Sequence, residues 1–242
     1  MTLAAGGFER YAKTTRRAVF LTEMERVVPW PALSGLIDPF YPKPGNGRPP
    51  IGVDRMLRIY FLQHWFNLSD PAVEEALYDS LAMRRFVGID LGREPVPDET
   101  TVCRFRHLLE EHDLGRQLFD EVQRHLADNG LKVATGTIVD ATIISAPSST
   151  KNAEKARDPE MQRLKISPID AIVVDEVERA KNRTKSKVRA RVEVSIGIIK
   201  RVFGFAKVRY RGLTKNTHRL LVTCTLANLF MARRHLLRCQ QA

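Results

Sequence analysis

The sequence predicts an α+β chain that is mostly α, with a helical domain over residues 1–130 followed by a mixed, strongly basic domain over residues 131–242. Three observations support this. Apolar residues recur at helical spacing through most of the first 130 positions, separated by short capped connections. A run rich in β-branched residues, Gly136-Thr-Ile-Val-Asp-Ala-Thr-Ile-Ile144, then reads as a strand. The charge also shifts along the chain: residues 1–150 hold 17 basic and 20 acidic residues, and residues 151–242 hold 22 and 8.

In chain order, residues 10–28 place Phe20, Leu21, Met24, Val27 and Val28 at helical spacing, and Pro29 ends that helix. The prolines and glycines of residues 38–50 mark a loop. Val53, Met56, Leu57, Tyr60, Phe61 and Trp65 make Gly52–Phe66 an amphipathic helix. Ser69 or Asp70 caps the next helix at Pro71, which carries Val73, Ala76, Leu77 and Leu81. After a loop over 87–99, Asp98 caps a helix holding Val102, Phe105, Leu108 and Leu109. A break at His112–Gly115 precedes a helix over Gln117–Asp128, stopped by Asn129-Gly130. About five amphipathic helices thus fill residues 10–130. The pair at 99–128 fits a helix-turn-helix DNA reader and an ordinary helical hairpin alike, and spacing alone favours the hairpin.

In the second domain, Ile138, Asp140, Thr142 and Ile144 share one strand face. A carboxylate on an apolar buried strand is costly unless paired or bound to a cation. Residues 147–165 are polar and loop-like, and Ile169–Val174 is a short strand candidate. Asp175–Val202 reads as a long basic helix with Val188, Val192, Ile196 and Ile199 as its apolar stripe. From Arg179 to Ala242 there are 17 Lys/Arg and one acid, Glu193. At 100° per residue, Arg189, Glu193 and Lys200 fall within about 40° of one another beside that stripe. Glu193 reads either as an ion-pair partner or as a carboxylate holding a metal ion against a phosphate. Phe203–Gly212 alternates like a strand or an extended arm, basic at Lys207, Arg209 and Arg211 and aromatic at Phe203, Phe205 and Tyr210, a pattern that suits phosphate contact with stacking. Leu220–Leu237 closes the chain as an apolar helix.

The basic surplus after residue 150 points to a polyanion, with nucleic acid the first candidate. No apolar run reaches 18 residues, so no membrane span is expected. The N-terminus lacks the charged and apolar regions of a secretion signal. Cys103, Cys224 and Cys239 form no C-x-x-C pair, which suits a reducing cytosol and argues against a zinc site. The expected location is cytoplasmic and nucleoid-associated.

An ordered set of segments carries a resemblance. It includes Phe40-Tyr-Pro-Lys43, Trp65-Phe-Asn-Leu-Ser-Asp70, Met83-Arg-Arg-Phe86, Pro97-Asp-Glu-Thr-Thr101 and Arg104-Phe-Arg-His-Leu-Leu-Glu110. It continues through Val139-Asp-Ala-Thr-Ile-Ile144, Ala146-Pro-Ser-Ser-Thr-Lys-Asn152, Arg157-Asp-Pro-Glu-Met161, Arg189-Ala-Arg-Val-Glu193, Lys200-Arg201 and Arg211-Gly-Leu213. Over most of its length the chain resembles transposases of the bacterial insertion-sequence-five family, in the DDE superfamily. The resemblance implies an N-terminal helical domain that helps bind transposon ends, then an RNase H-like catalytic domain in which three acids hold two Mg²⁺ ions. It assigns Asp140 as the first acid and Glu193 as the last. Arg189 and Lys200 are the basic residues flanking that glutamate near the cleaved phosphate. The basic segments themselves add Arg201, Lys207, Arg209 and Arg211 as expected DNA contacts. The implied partner is double-stranded DNA at terminal inverted repeats, bound by a homo-oligomer or by a mixed assembly with an intact transposase.

The family's second aspartate has no counterpart between Met161 and Asp175. Only 52 residues separate Asp140 from Glu193. The missing strands and helix would need roughly 30 residues in elements alone. An in-frame deletion joining the chain near Arg163 to a point near Ile169 accounts for this, leaving a truncated RNase H-like domain. Asp170 and Asp175 are the acids present in that interval. Two readings follow: a transposase made inactive by an incomplete acidic triad, and a non-catalytic DNA-binding remnant that occupies ends or inhibits an intact relative.

Overall fold

The computed structural model describes residues 13–45, 49–131, 193–207 and 209–240. The strands expected over 136–144 and 169–174 lie outside these residues, as do Asp140, Arg189, Asp170 and Asp175. The described residues are mostly α-helical, with no strand among them. One compact unit combines two chain segments, residues 1–133 and 197–242; residues 134–196 form the other unit, of which only 193–196 are described.

Local chemistry explains where most helices begin. Helix α1 spans Arg16–Val27, and the Thr15 hydroxyl accepts from the Ala18 N–H at 3.1 Å. Helix α2, Trp30–Ile37, follows directly and was not expected. Its Pro31 lies in the first turn, where a missing N–H costs nothing, and Pro29, expected to end α1, is also the residue from which this helix starts. Trp30, Leu33 and Ile37 then face the core. Helix α3, Val53–Trp65, buries residues all round its circumference, including Met56, Leu57, Ile59, Phe61 and Leu62, and so sits at the centre of the unit.

Helix α4 runs Asp70–Asp79; of the two expected caps it is Ser69 that serves, accepting from Ala72 N–H at 3.2 Å, and Asp70 lies inside the helix. The expected continuation through Leu81 is broken. Ser80 leaves helical geometry and starts a separate helix α5, Leu81–Val87, by accepting from Met83 N–H. Helix α6 is Glu99–Glu111, with Asp98 accepting from Thr101 N–H at 2.7 Å. Helix α7 is Leu114–Asp128, entered through Asp113 at φ 47°, and Asn129-Gly130 ends it. Helix α8 is far longer than its expected Leu220–Leu237 and spans Leu213–Cys239.

Helix α8 packs against α7, α1 and α3, so the end of the chain completes the N-terminal helical core. Val222, Leu226, Ala227, Leu229 and Leu236 are all at most 2% exposed there. Aromatic edges join the pieces. Phe20 of α1 meets Trp65 of α3 at 5.3 Å, and Phe203 meets Phe230 of α8 at 5.8 Å. Arg58 of α3 ties α1, α2 and α3 together: it pairs with Glu25 and Asp54 and lies over the Trp30 ring at 4.2 Å.

One stability consequence is local. Ser69→Ala removes the α4 cap and is expected to cost about 1 kcal/mol. In a chain of this size that should lower the melting temperature by roughly 2–4 °C. A melt unchanged within error would show that the cap bond is replaced by water.

Candidate nucleic-acid interface

The residues proposed to meet nucleic acid divide between a helical stretch and an arm. Residues 193–197 are helical, and Glu193 is exposed there. Past Gly197 the chain widens into a turn over Ile198–Val202, closed by Phe203 N–H donating to the Ile198 carbonyl at 3.1 Å. Such i→i+5 bonding rotates the chain less per residue than an α-helix does. The 100° spacing expected to carry a regular row to Lys200 therefore does not continue past Ile198. Of the expected apolar stripe, Ile199 packs on the core and Ile196 is half-buried, while Val188 and Val192 lie outside the described residues. Lys200 and Arg201 are exposed on the wide turn.

The described residues of the stretch Phe203–Gly212 are irregular, with no strand among them. The stretch does not hold its aromatic rings out for stacking on bases. Phe203 is 2% exposed. Phe205 lies under the Arg219 guanidinium at 4.7 Å, and Tyr210 under that of Arg106 at 4.5 Å. Phe205 and Tyr210 are half-buried, and a flat guanidinium covers a face of each ring, which removes apolar surface from water. Lys207, Arg209 and Arg211 remain exposed.

The arm is gripped by side chains that sequence reading did not single out. Asn67 sits at the α3–α4 corner at φ 51°, a left-handed conformation that Asn tolerates. Its Oδ1 accepts from Arg209 Nη2 at 2.8 Å and from Arg219 Nη2 at 3.1 Å. Arg209 also donates to the carbonyls of Asn67 (3.1 Å) and Leu68 (2.8 Å). Gly204, at φ 65°, lies so close that a Cβ there would fall 2.6 Å from Asn67 Nδ2, so any side chain at 204 would displace the corner. At the far end of the arm, Asn216 of α8 receives the Tyr210 N–H at 3.2 Å and donates to the Tyr210 and Gly212 carbonyls.

Beneath the arm lies a cationic cluster. Arg106 of α6 is 8% exposed and pairs with Asp70 at 2.8 Å. Arg219 of α8 is 7% exposed and, among the described residues, bonds only oxygens of neutral groups, Asn67 Oδ1 and the Lys207 carbonyl. Burial, and next the Arg209 guanidinium, lower its pKa below the usual arginine range. His64 of α3 bonds Thr223 Oγ1 at 3.2 Å, and that hydroxyl donates its proton to the Arg219 carbonyl. Nδ1 of His64 is therefore the donor. Burial, then the nearby Arg219, His218, Arg209 and Arg106, hold His64 down to about 3. His218 is 4% exposed with neither ring nitrogen hydrogen-bonded among the described residues, and it is held down to about 4, chiefly by burial. A groove of about 850 Å³ between α1, α3 and α5 shares no residue with this cluster.

Among the described residues no three His, Cys, Asp or Glu side chains converge as a metal-ion site. Of the two expected ligands, Glu193 presents an exposed carboxylate, the hard oxygen donor that Mg²⁺ prefers, and Asp140 lies outside the described residues. No helix among the described residues is long and apolar enough to cross a membrane.

Comparison with known proteins gives two matches. Residues 8–108 match a family model described as Transposase domain (DUF772), and residues 151–229 match one described as Transposase DDE domain. Glu193, Lys200, Arg201, Lys207, Arg209 and Arg211 fall inside the second match, and Asp140 lies between the two. The second match supports the RNase H-like reading of the C-terminal domain. No solved structure matches the chain.

Proposed function

Since the chain belongs to the DDE superfamily of transposases, whose role is DNA transposition, we propose that it binds the ends of a transposon through its basic C-terminal segments without cutting them. The observation that carries the reading is the surplus of 22 basic over 8 acidic residues after position 150. Lys200, Arg201, Lys207, Arg209 and Arg211 are exposed within that segment. Counterions released from DNA phosphates drive such binding, and that makes it steeply salt-dependent.

In this proposal Asp140 and Glu193 are the two carboxylates that would hold Mg²⁺, and Arg189 joins Lys200 beside them on the DNA. When bound, such a metal would supply the activation of water or a 3′-hydroxyl and the charge stabilisation that phosphoryl transfer needs. The family's second aspartate has no counterpart between Met161 and Asp175. Two carboxylates leave too few hard ligands to fix the ions in near-octahedral geometry. The chain then acts as an occupant of transposon ends, alone as a homo-oligomer or mixed with an intact relative that it inhibits.

The test is binding and nicking on duplexes carrying family terminal repeats, across a salt series with Mg²⁺ or Mn²⁺. The expected result is binding without strand cleavage, with Lys207→Ala and Arg211→Ala each reducing the log–log salt slope by roughly 0.9. Metal-dependent nicking lost in both Asp140→Asn and Glu193→Gln would overturn the inactive reading. Salt-insensitive binding would overturn the basic footprint.

A further inference from the structure

We propose that Arg209 and Arg219, drawn to either side of Asn67, form a built anion site that takes one phosphate group of a nucleic-acid backbone. This rests on the DNA-binding reading above and adds to it a buried residue, Arg219, and a positioning residue, Asn67.

The argument begins with charge accounting. Three guanidiniums, those of Arg106, Arg209 and Arg219, lie under or along the arm. Only Arg106 has a carboxylate, Asp70 at 2.8 Å. Among the described residues neither Arg209 nor Arg219 bonds any carboxylate. Both instead donate to one amide oxygen, Asn67 Oδ1, at 2.8 and 3.1 Å. Two like charges converging on a neutral oxygen, one of them 7% exposed, are unfavourable without an opposite charge. Carbonyl dipoles of Asn67, Leu68 and Lys207 offset part of that cost and supply no net charge.

Donor geometry points the same way. Each guanidinium carries five N–H groups, and the Nε–H of both Arg209 and Arg219 is unused by the bonds just described. Paired guanidiniums match the oxygens of a phosphate group through parallel charge-assisted bonds. Arg209 is exposed, so an anion can reach the pair from solvent. The exposed Lys207 and Arg211 lie two residues to either side of Arg209, as expected of a backbone that continues past the site. Asn67 acts through the arginines: its Oδ1 and carbonyl fix both guanidiniums in place before any anion arrives.

The test uses the full chain and the variant Asn67→Asp, which places a negative charge between the two arginines without changing side-chain shape. Asp tolerates the left-handed backbone at this corner. For the unaltered chain, inorganic phosphate is expected to raise the melting temperature above that in chloride of equal ionic strength. Asn67→Asp should melt higher in chloride, show no added rise with phosphate, and bind duplex DNA with a salt slope lower by roughly 0.9. Arg209→Gln, at an exposed position, should also lose the phosphate-specific rise.

A phosphate-specific rise of equal size in all three proteins would overturn the site. If DNA binding stays steeply salt-dependent while Asn67→Asp changes neither slope nor phosphate response, this inference fails and the broader DNA reading stands. A phosphate rise abolished by Asn67→Asp with an unchanged DNA slope would leave a free-phosphate site and overturn the assignment to a nucleic-acid backbone. Absence of any DNA binding would remove the broader reading itself.

Discussion

A fragment ending at Leu131 is expected not to fold cooperatively, although it contains α1 to α7 and the whole of the first family match. The reason lies in α8. Its Val222, Leu226, Leu229 and Leu236 are between 0% and 2% exposed, packed against α7, α1 and α3. Burying side chains of this size contributes about 1.5–3 kcal/mol each. The four together contribute roughly 6–12 kcal/mol, comparable with the 5–15 kcal/mol that stabilises a typical domain. Removing α8 also exposes the apolar surfaces it covered. The expected observation is loss of a sharp thermal transition in the fragment, with the full chain melting cooperatively. Leu229→Ala in the full chain gives the graded version, about 2–5 kcal/mol of destabilisation. A fragment that melts as sharply and as high as the full chain would show that the N-terminal helices form a self-sufficient core.

The second large effect is with acid. His218 is 4% exposed, has no hydrogen-bond partner on either ring nitrogen among the described residues, and is held neutral down to about 4. Gly115 of α7 leaves it no room: a Cβ there would lie 2.6 Å from its Nδ1. Asp113 raises its proton affinity and Arg106 lowers it, and burial outweighs both. The ordinary histidine pKa is near 6.5, and that is the value in the unfolded chain. The folded value is the lower one, so below pH 6.5 the unfolded state binds more protons. The stability is therefore fully present above pH 6.5 and is lost as pH falls toward 4. At pH 5 the loss from His218 is about 2 kcal/mol. His64, held down to about 3 by burial and by the arginines around it, adds a loss of the same sign. Denaturant midpoints measured from pH 7.5 to 4.5 should fall steadily, and His218→Gln should flatten the curve. A profile identical in the variant would mean that carboxylates elsewhere set the acid sensitivity.

Much of the local structure could be read directly. Ser69 and Asp98 cap the helices they were expected to cap, and Asn129-Gly130 stops α7, because a cap is a bond to an N–H two or three residues away. The apolar spacing of α3 is likewise a property of consecutive residues. Two helices were missed for a related reason. Pro31 sits in the first turn of α2, and Ser80, read as lying inside one continuous helix, instead caps a new one. The transposase family was also legible, since it rests on an ordered series of segments and needs no three-dimensional contact.

By itself, then, the sequence determined the helical N-terminal region, its caps, the basic C-terminal half and the family. Only the tertiary structure decided that α8 belongs to the N-terminal core, and that the aromatic rings of the arm stack on Arg106 and Arg219. It alone gathered Asn67, Arg209 and Arg219, which stand 142 and 152 residues apart along the chain from the one asparagine. Periodicity and capping act across a few residues and leave a local pattern. A contact between distant residues depends on which apolar faces pack together, and no local pattern of residue types records that choice.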